Sequence, residues 1–124
     1  MTVGLVAGAG CSLGCPAEEL LELLERALGN LEGRLVALAT IDRRAGEPCM
    51  VAAARRRGVP LRAHPVDQLA AVEVPTPSET VHRHVGTASV AEAAALLAAG
   101  PGARLVVSKL RSPHATCAVA REAA

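Results

Sequence analysis

At 124 residues, with 51% apolar side chains and no Phe, Tyr or Trp, the chain reads as one domain whose core is built from Ala, Val, Leu, Ile and Met. Its 13 basic and 12 acidic side chains leave a net charge of +1, which offers no field for DNA or an anionic membrane, and without aromatics single-stranded nucleic acid loses its stacking platforms. No apolar run approaches the about 20 residues of a membrane span, and the amino terminus reads as a strand rather than a leader, so the expected location is cytoplasmic.

The apolar run over residues 3–7 predicts a first strand, followed by a glycine-rich turn through Gly8, Gly10, Cys11, Ser12 and Gly14. Its Gly-x-Gly-x-x-x-Gly spacing fits neither the dinucleotide fingerprint nor a Walker loop, so it supports only close approach of the backbone to an anion at a helix amino end. Pro16 opens a helix whose apolar face is Leu20, Leu21, Leu23, Leu24 and Leu28, stopped by Gly29. A second strand is expected over 34–40, a second helix over 48–57 ended by Gly58, a short strand over 61–64 and a helical turn over 66–72. Arg55, Arg56 and Arg57 read as a solvated face favoured by the helix dipole. Pro75 and Pro77 forbid regular structure over 73–78, and a brief helix is expected over 80–84. Ser89 and Glu92 have capping-box spacing ahead of an Ala-rich, buried helix over 90–99. Strands over 104–110 and 115–120 form a hairpin. The order predicts a three-layer α/β/α single domain, its sheet mostly parallel with a C-terminal antiparallel hairpin.

The loop between the second strand and the second helix concentrates polar chemistry: Thr40, Asp42, Arg43, Arg44 and Glu47. Ligands of open α/β folds bind outside the carboxyl ends of strands, so this is the first place to seek a site. A carboxylate at Glu47 either caps the following helix or serves a ligand. Lys109 is the sole lysine among 13 basic residues, and an ammonium retained in so Arg-biased a chain points to a specific task. Cys11, Cys15, Cys49 and Cys117 form no paired Cys-x-x-Cys knuckles and read as reduced thiols filling small gaps. His82 and His84 lack a third obvious ligand and read as exposed, so no protein-held metal is expected.

Taken together, these stretches resemble the cobalamin biosynthesis family that comprises CobE and the carboxy-terminal domain of CbiG. A first-strand Gly-Ile-Gly-Cys-Arg type turn is matched by Gly8, Ala9, Gly10 and Cys11. An Ala-Thr-x-Asp-x-Lys-x-x-Glu motif is matched by Ala39, Thr40, Asp42 and Glu47, with Arg44 in place of Lys. A Val-Gly-x-x-Ser-Val-x-Glu-Ala-Ala motif falls on Val85, Gly86, Ser89, Val90, Glu92, Ala93 and Ala94. A late-strand Lys followed by Thr-x-Ala falls on Lys109, Thr116 and Ala118. Ser12 departs from the family Arg, so that if the family Arg contacts an acidic ligand one charge-assisted contact is missing here, and Arg44 keeps charge but not the shape of Lys.

The resemblance implies a protein that binds or delivers a tetrapyrrole intermediate of the corrin pathway: a precorrin, a cobalt-precorrin or hydrogenobyrinic acid. The alternative it implies is a cobalt-precorrin-5A hydrolase domain, with Asp42 or Glu47 activating water and Lys109 or Arg44 stabilising an oxyanion. The expected ligand-binding set is Gly8, Gly10, Cys11, Ser12, Thr40, Asp42, Arg44, Glu47, Gly86, Ser89, Glu92, Lys109 and Thr116. Cobalt would enter only inside the ligand, and other cobalamin-biosynthesis enzymes are the expected protein partners.

Overall fold

A computed structural model describes residues 2–72 and 89–123. In chain order it contains β1 (Gly4–Cys11), α1 (Ala17–Leu28), β2 (Arg34–Ile41), a 3-10 turn (Asp42–Arg44), α2 (Pro48–Arg57), β3 (Leu61–His64), α3 (Val66–Ala70), α4 (Val90–Ala99), β4 (Arg104–Arg111) and β5 (Ala115–Arg121). The proline segment over 73–78, the expected helix over 80–84, and His82, His84 and Gly86 lie outside the described residues.

The sheet order is β3-β2-β1-β5-β4. β1 pairs with β2, and β2 with β3, in parallel, whereas β5 is antiparallel to both β1 and β4. Four strands therefore run one way, as the α/β reading expects, and the hairpin inserts its second strand into the middle of the sheet. β4 becomes an edge strand, carrying register shifts between Leu105 and Val107 and between Val107 and Leu110.

Strand alternation divides the core between the two faces of the sheet. Leu5, Ala7, Ala9, Leu38, Cys117 and Val119 pack with Leu20, Leu23 and Leu24 of α1 and with Met50 and Ala53 of α2. Val6, Ala37, Ala39 and Ile41 pack with Leu69 of α3 and with Val90, Ala93 and Ala94 of α4. Burying each of the leucines of α1 contributes about 1.5–3 kcal/mol, which compensates for a core without aromatic rings. Both long helices of the first face end as their glycines predict. Gly58 takes the left-handed conformation (φ 67°) and its N–H donates to the carbonyls of Ala54 and Arg55.

The expected glycine turn is corrected. β1 runs on through Gly8, Ala9, Gly10 and Cys11, and the turn shrinks to the few residues from Ser12 onward. The reason is packing. A Cβ on Gly8 would lie 2.0 Å from the Ala91 carbonyl oxygen and 2.5 Å from the Ala95 nitrogen, so bare backbone is what lets α4 cross β1 so closely.

Candidate functional site

The carboxyl ends of β1, β2, β3 and β4 share one edge of the sheet, and the amino end of α4 returns to it, with Val90 beside Gly10. This edge gathers Gly10, Cys11, Ser12, Thr40, Asp42, Arg44, Glu47, Ser89, Glu92, Lys109 and Thr116 from separated stretches of chain. Gly8 is buried beneath it under α4. The residues do not form one constellation, because strand alternation sends them to opposite faces.

On the α1 and α2 face Thr40, Arg44 and Glu47 are spent on backbone groups of β1 and the loop after it. Thr40 is fully buried, and its hydroxyl donates to the Ala9 carbonyl at 2.7 Å, tying β2 to β1 beyond their last paired residues. Arg44 Nε donates to the Cys11 carbonyl at 2.9 Å. Glu47 occupies the N-cap position of α2 without capping it; its Oε1 instead accepts from the Gly14 N–H at 3.0 Å. These contacts staple the loop after β2 to the loop after β1. Asp42 opens the 3-10 turn, is exposed, and its side chain makes no hydrogen bond with a described residue. Ser12 donates through both N–H and hydroxyl to the His114 carbonyl, at 3.0 and 3.3 Å.

All four cysteines are free thiols. Burial pushes the Cys11 and Cys15 thiols up to about 12, reinforced by Cys49 beside both, and burial alone does the same for Cys117. Cys11, Cys15 and Cys117 are thus protonated and poorly nucleophilic at neutral pH. Among the described residues no three His, Cys, Asp or Glu side chains are grouped to hold a metal ion.

A clamp that the sequence reading missed closes this face. Glu19, in the first turn of α1, accepts hydrogen bonds from the Ser112 hydroxyl and from the His114 N–H at 2.6 Å, and its other oxygen meets His114 Nδ1 at 2.8 Å. Three partners on the β4–β5 turn thus fasten to one carboxylate 93 or more residues away in sequence. No spacing rule connects such distant positions. The Ser112 and His114 hydrogen bonds hold the Glu19 carboxyl below its ordinary 4.5. A lowered carboxyl stabilises the fold above its unfolded value and loses that contribution as pH falls through the native value. The melting temperature of the wild type is therefore expected to exceed that of Glu19→Gln at neutral pH, the gap narrowing as pH drops below 4.5. A gap that stays constant down to pH 3 would remove Glu19 from the acid response.

The α4 face is arranged differently. Ser89 caps α4, its hydroxyl accepting from the Glu92 N–H at 3.4 Å, but the capping box is only half formed. The Glu92 side chain is 0% exposed and turns to β4, where Oε2 accepts from the Lys109 backbone N–H at 2.9 Å. The register shift just before Leu110 frees that N–H from the ladder. Leu110 packs toward the α1 face, so Lys109 and Arg111 alternate to the α4 face. There Arg111 stands opposite Thr116, whose Oγ1 lies 2.8 Å from where a Gly10 Cβ would be. Burial and the nearby Arg111 charge lower the Lys109 ammonium below its usual value, with Glu92 opposing. At the far end of this face His64 closes β3; burial and Arg62 keep its imidazole neutral to lower pH, and its buried Nε2 has no hydrogen-bond partner among the described residues. Sequence inspection passed over His64 because only the sheet order brings it to this edge.

Comparison with known proteins joins these motifs to a lineage. The family described as "Cobalamin synthesis G C-terminus" matches residues 5–120. The chain is 44% identical over 122 residues to Protein CobE of a Sinorhizobium species, covering 94% of this chain and 79% of that protein. Its fold superposes on a crystal structure of CobE, from the cobalamin (vitamin B12) biosynthetic pathway, with a TM-score of 0.87 at 40% identity, covering 98% of this chain and 92% of that one. It is also 29% identical over 119 residues to a cobalt-precorrin-5A hydrolase of Priestia megaterium, covering 94% of this chain and only 32% of that protein. With a match across nearly the whole sheet and over both loops at its carboxyl edge, the chain belongs to the CobE and CbiG carboxy-terminal family of cobalamin biosynthesis proteins.

Proposed function

We propose that this domain binds a corrin-pathway tetrapyrrole, a precorrin, cobalt-precorrin or hydrogenobyrinic acid, at the carboxyl edge of the sheet and delivers it to other enzymes of cobalamin biosynthesis. The observation that carries this reading is the meeting of separated motif residues at one edge in an arrangement suited to holding rather than to turnover. Asp42 is exposed with no base or acid bound to it among the described residues, and Glu47 is committed to Gly14. A flat macrocycle with acetate and propionate arms asks for cations and for apolar surface. Lys109 supplies a partly desolvated ammonium, and Leu13, 71% exposed in the loop after β1, supplies apolar area at the same edge. Cobalt, where present, arrives within the ligand as part of it.

Visible-absorbance titration tests the reading cleanly, since the conjugated macrocycle absorbs there and the protein does not; without Trp or Tyr it hardly absorbs even in the near ultraviolet. Saturable binding of hydrogenobyrinic acid is expected, weakened about tenfold or more in Lys109→Ala by loss of a charge-assisted contact. Absence of binding to this acid and to cobalt-precorrins would sink the carrier reading. Identity to the Priestia hydrolase supports a second reading, lactone opening with release of acetaldehyde. That reading requires catalytic acetaldehyde release from cobalt-precorrin-5A, whereas a carrier returns the intermediate unchanged.

A further inference from the structure

The edge offers two faces to a polyanionic ligand, and they differ in what their polar groups have left to give. On the α1 and α2 face, Arg44, Glu47, Thr40 and Ser12 are engaged by the protein itself. On the α4 face, Lys109 and Arg111 sit two residues apart on one side of a bulged edge strand. Neither side chain makes an ion pair or hydrogen bond with a described residue. Glu92, the described acid whose charge reaches Lys109, is fully buried, and its Oε2 already accepts from the Lys109 backbone N–H.

Two like charges held together repel, and within a Debye length of about 8 Å salt does little to relieve them; the Glu92 carboxylate offsets part of this at Lys109 but forms no ion pair with either side chain. The arrangement is favourable once an anion lies between the two groups. A guanidinium takes a carboxylate in two parallel hydrogen bonds, and an ammonium adds a point charge. Thr116 contributes a hydroxyl, and Gly10 keeps the space above it open, since its Cβ would crowd that hydroxyl at 2.8 Å.

We infer that Lys109 and Arg111 form the subsite for a carboxylate arm of the ligand on the α4 face, and that the Arg44 and Glu47 loop on the opposite face is scaffold. Arg111 lies outside every family motif recognised in the sequence. The identity of the ligand as a tetrapyrrole rests on the function proposed above; the anion subsite rests on the geometry alone.

Two probes separate the two claims. With hydrogenobyrinic acid, Arg111→Gln is expected to weaken binding about tenfold at unchanged melting temperature. Glu47→Ala is expected to lower the melting temperature and leave the affinity of the folded protein as it was. The second probe is benzene hexacarboxylate, flat and polycarboxylic but no corrin. Lys109 is the sole lysine, so reductive 13C-methylation, which keeps the charge, provides a single side-chain reporter by NMR. Its signal is expected to shift on titration in wild type and to lose about tenfold in apparent affinity in Arg111→Gln. Full corrin affinity in Arg111→Gln, or loss of affinity in folded Glu47→Ala, overturns the subsite assignment. So does a Lys109 signal indifferent to benzene hexacarboxylate. If the polycarboxylate binds through Arg111 and hydrogenobyrinic acid does not bind at all, the subsite stands and the tetrapyrrole reading falls.

Discussion

Gly8→Ala is expected to destabilise the domain by about 3 kcal/mol or more, lowering the melting temperature by roughly 10 °C. The added methyl meets backbone rather than a yielding side chain, with the Ala91 carbonyl oxygen at 2.0 Å and the Ala95 nitrogen at 2.5 Å. To admit it, α4 must lift from the centre of the sheet, where Ala91, Ala93, Ala94 and Ala95 are all 0% exposed. Lifting a helix from its seat forfeits dispersion contacts along the whole interface. Gly10→Ala is the informative comparison. Its nearest obstacles are the Thr116 hydroxyl at 2.8 Å and Val90 at 3.7 Å, so a side-chain adjustment absorbs part of the strain. Equal losses in the two variants by urea denaturation would show that close helix packing is not what Gly8 provides.

The second large effect is expected at Glu92. Glu92→Ala leaves the Lys109 N–H without its acceptor and opens a cavity at a 0% exposed site, a loss of about 2–4 kcal/mol. Glu92→Gln keeps an oxygen in place and should cost about 1 kcal/mol. Charge and structure then separate at Lys109. Glu92 raises the affinity of that ammonium for its proton while burial and Arg111 lower it. Titration of 13C-methylated Lys109 should accordingly move to lower pH in Glu92→Gln and to higher pH in Arg111→Gln. A Lys109 titration that ignores both substitutions would place the side chain elsewhere.

What the sequence disclosed follows from how local each signal is. Helix α1 was legible from its leucines and from Gly29, β2 and α2 from an apolar run and Pro48, and the hairpin from paired strands around Arg111 to His114. These are nearest-neighbour rules of periodicity and capping. The motif residues also converge at one edge, because parallel strands put their carboxyl ends together. What escaped needs the third dimension. Gly8 reads as a turn residue until α4 is laid across β1. Glu47 reads as a cap until Gly14 is brought beside it, and Glu92 as half of a capping box until a bulge in β4 offers it a better donor. Glu19, with Ser112 and His114, has no signal in the sequence. The division of the edge into two faces likewise depends on the register of β5 between β1 and β4.

Amide chemical-shift mapping of the 15N-labelled protein during titration with hydrogenobyrinic acid locates the bound ligand on the sheet. A ligand seated at the carboxyl edge should perturb Gly10, Lys109, Arg111 and Thr116 first. Gly4, Arg34 and Arg104, at the opposite edge of the sheet, should stay where they are. Perturbations centred on that opposite edge, or spectra unchanged at saturating ligand, would contradict the account.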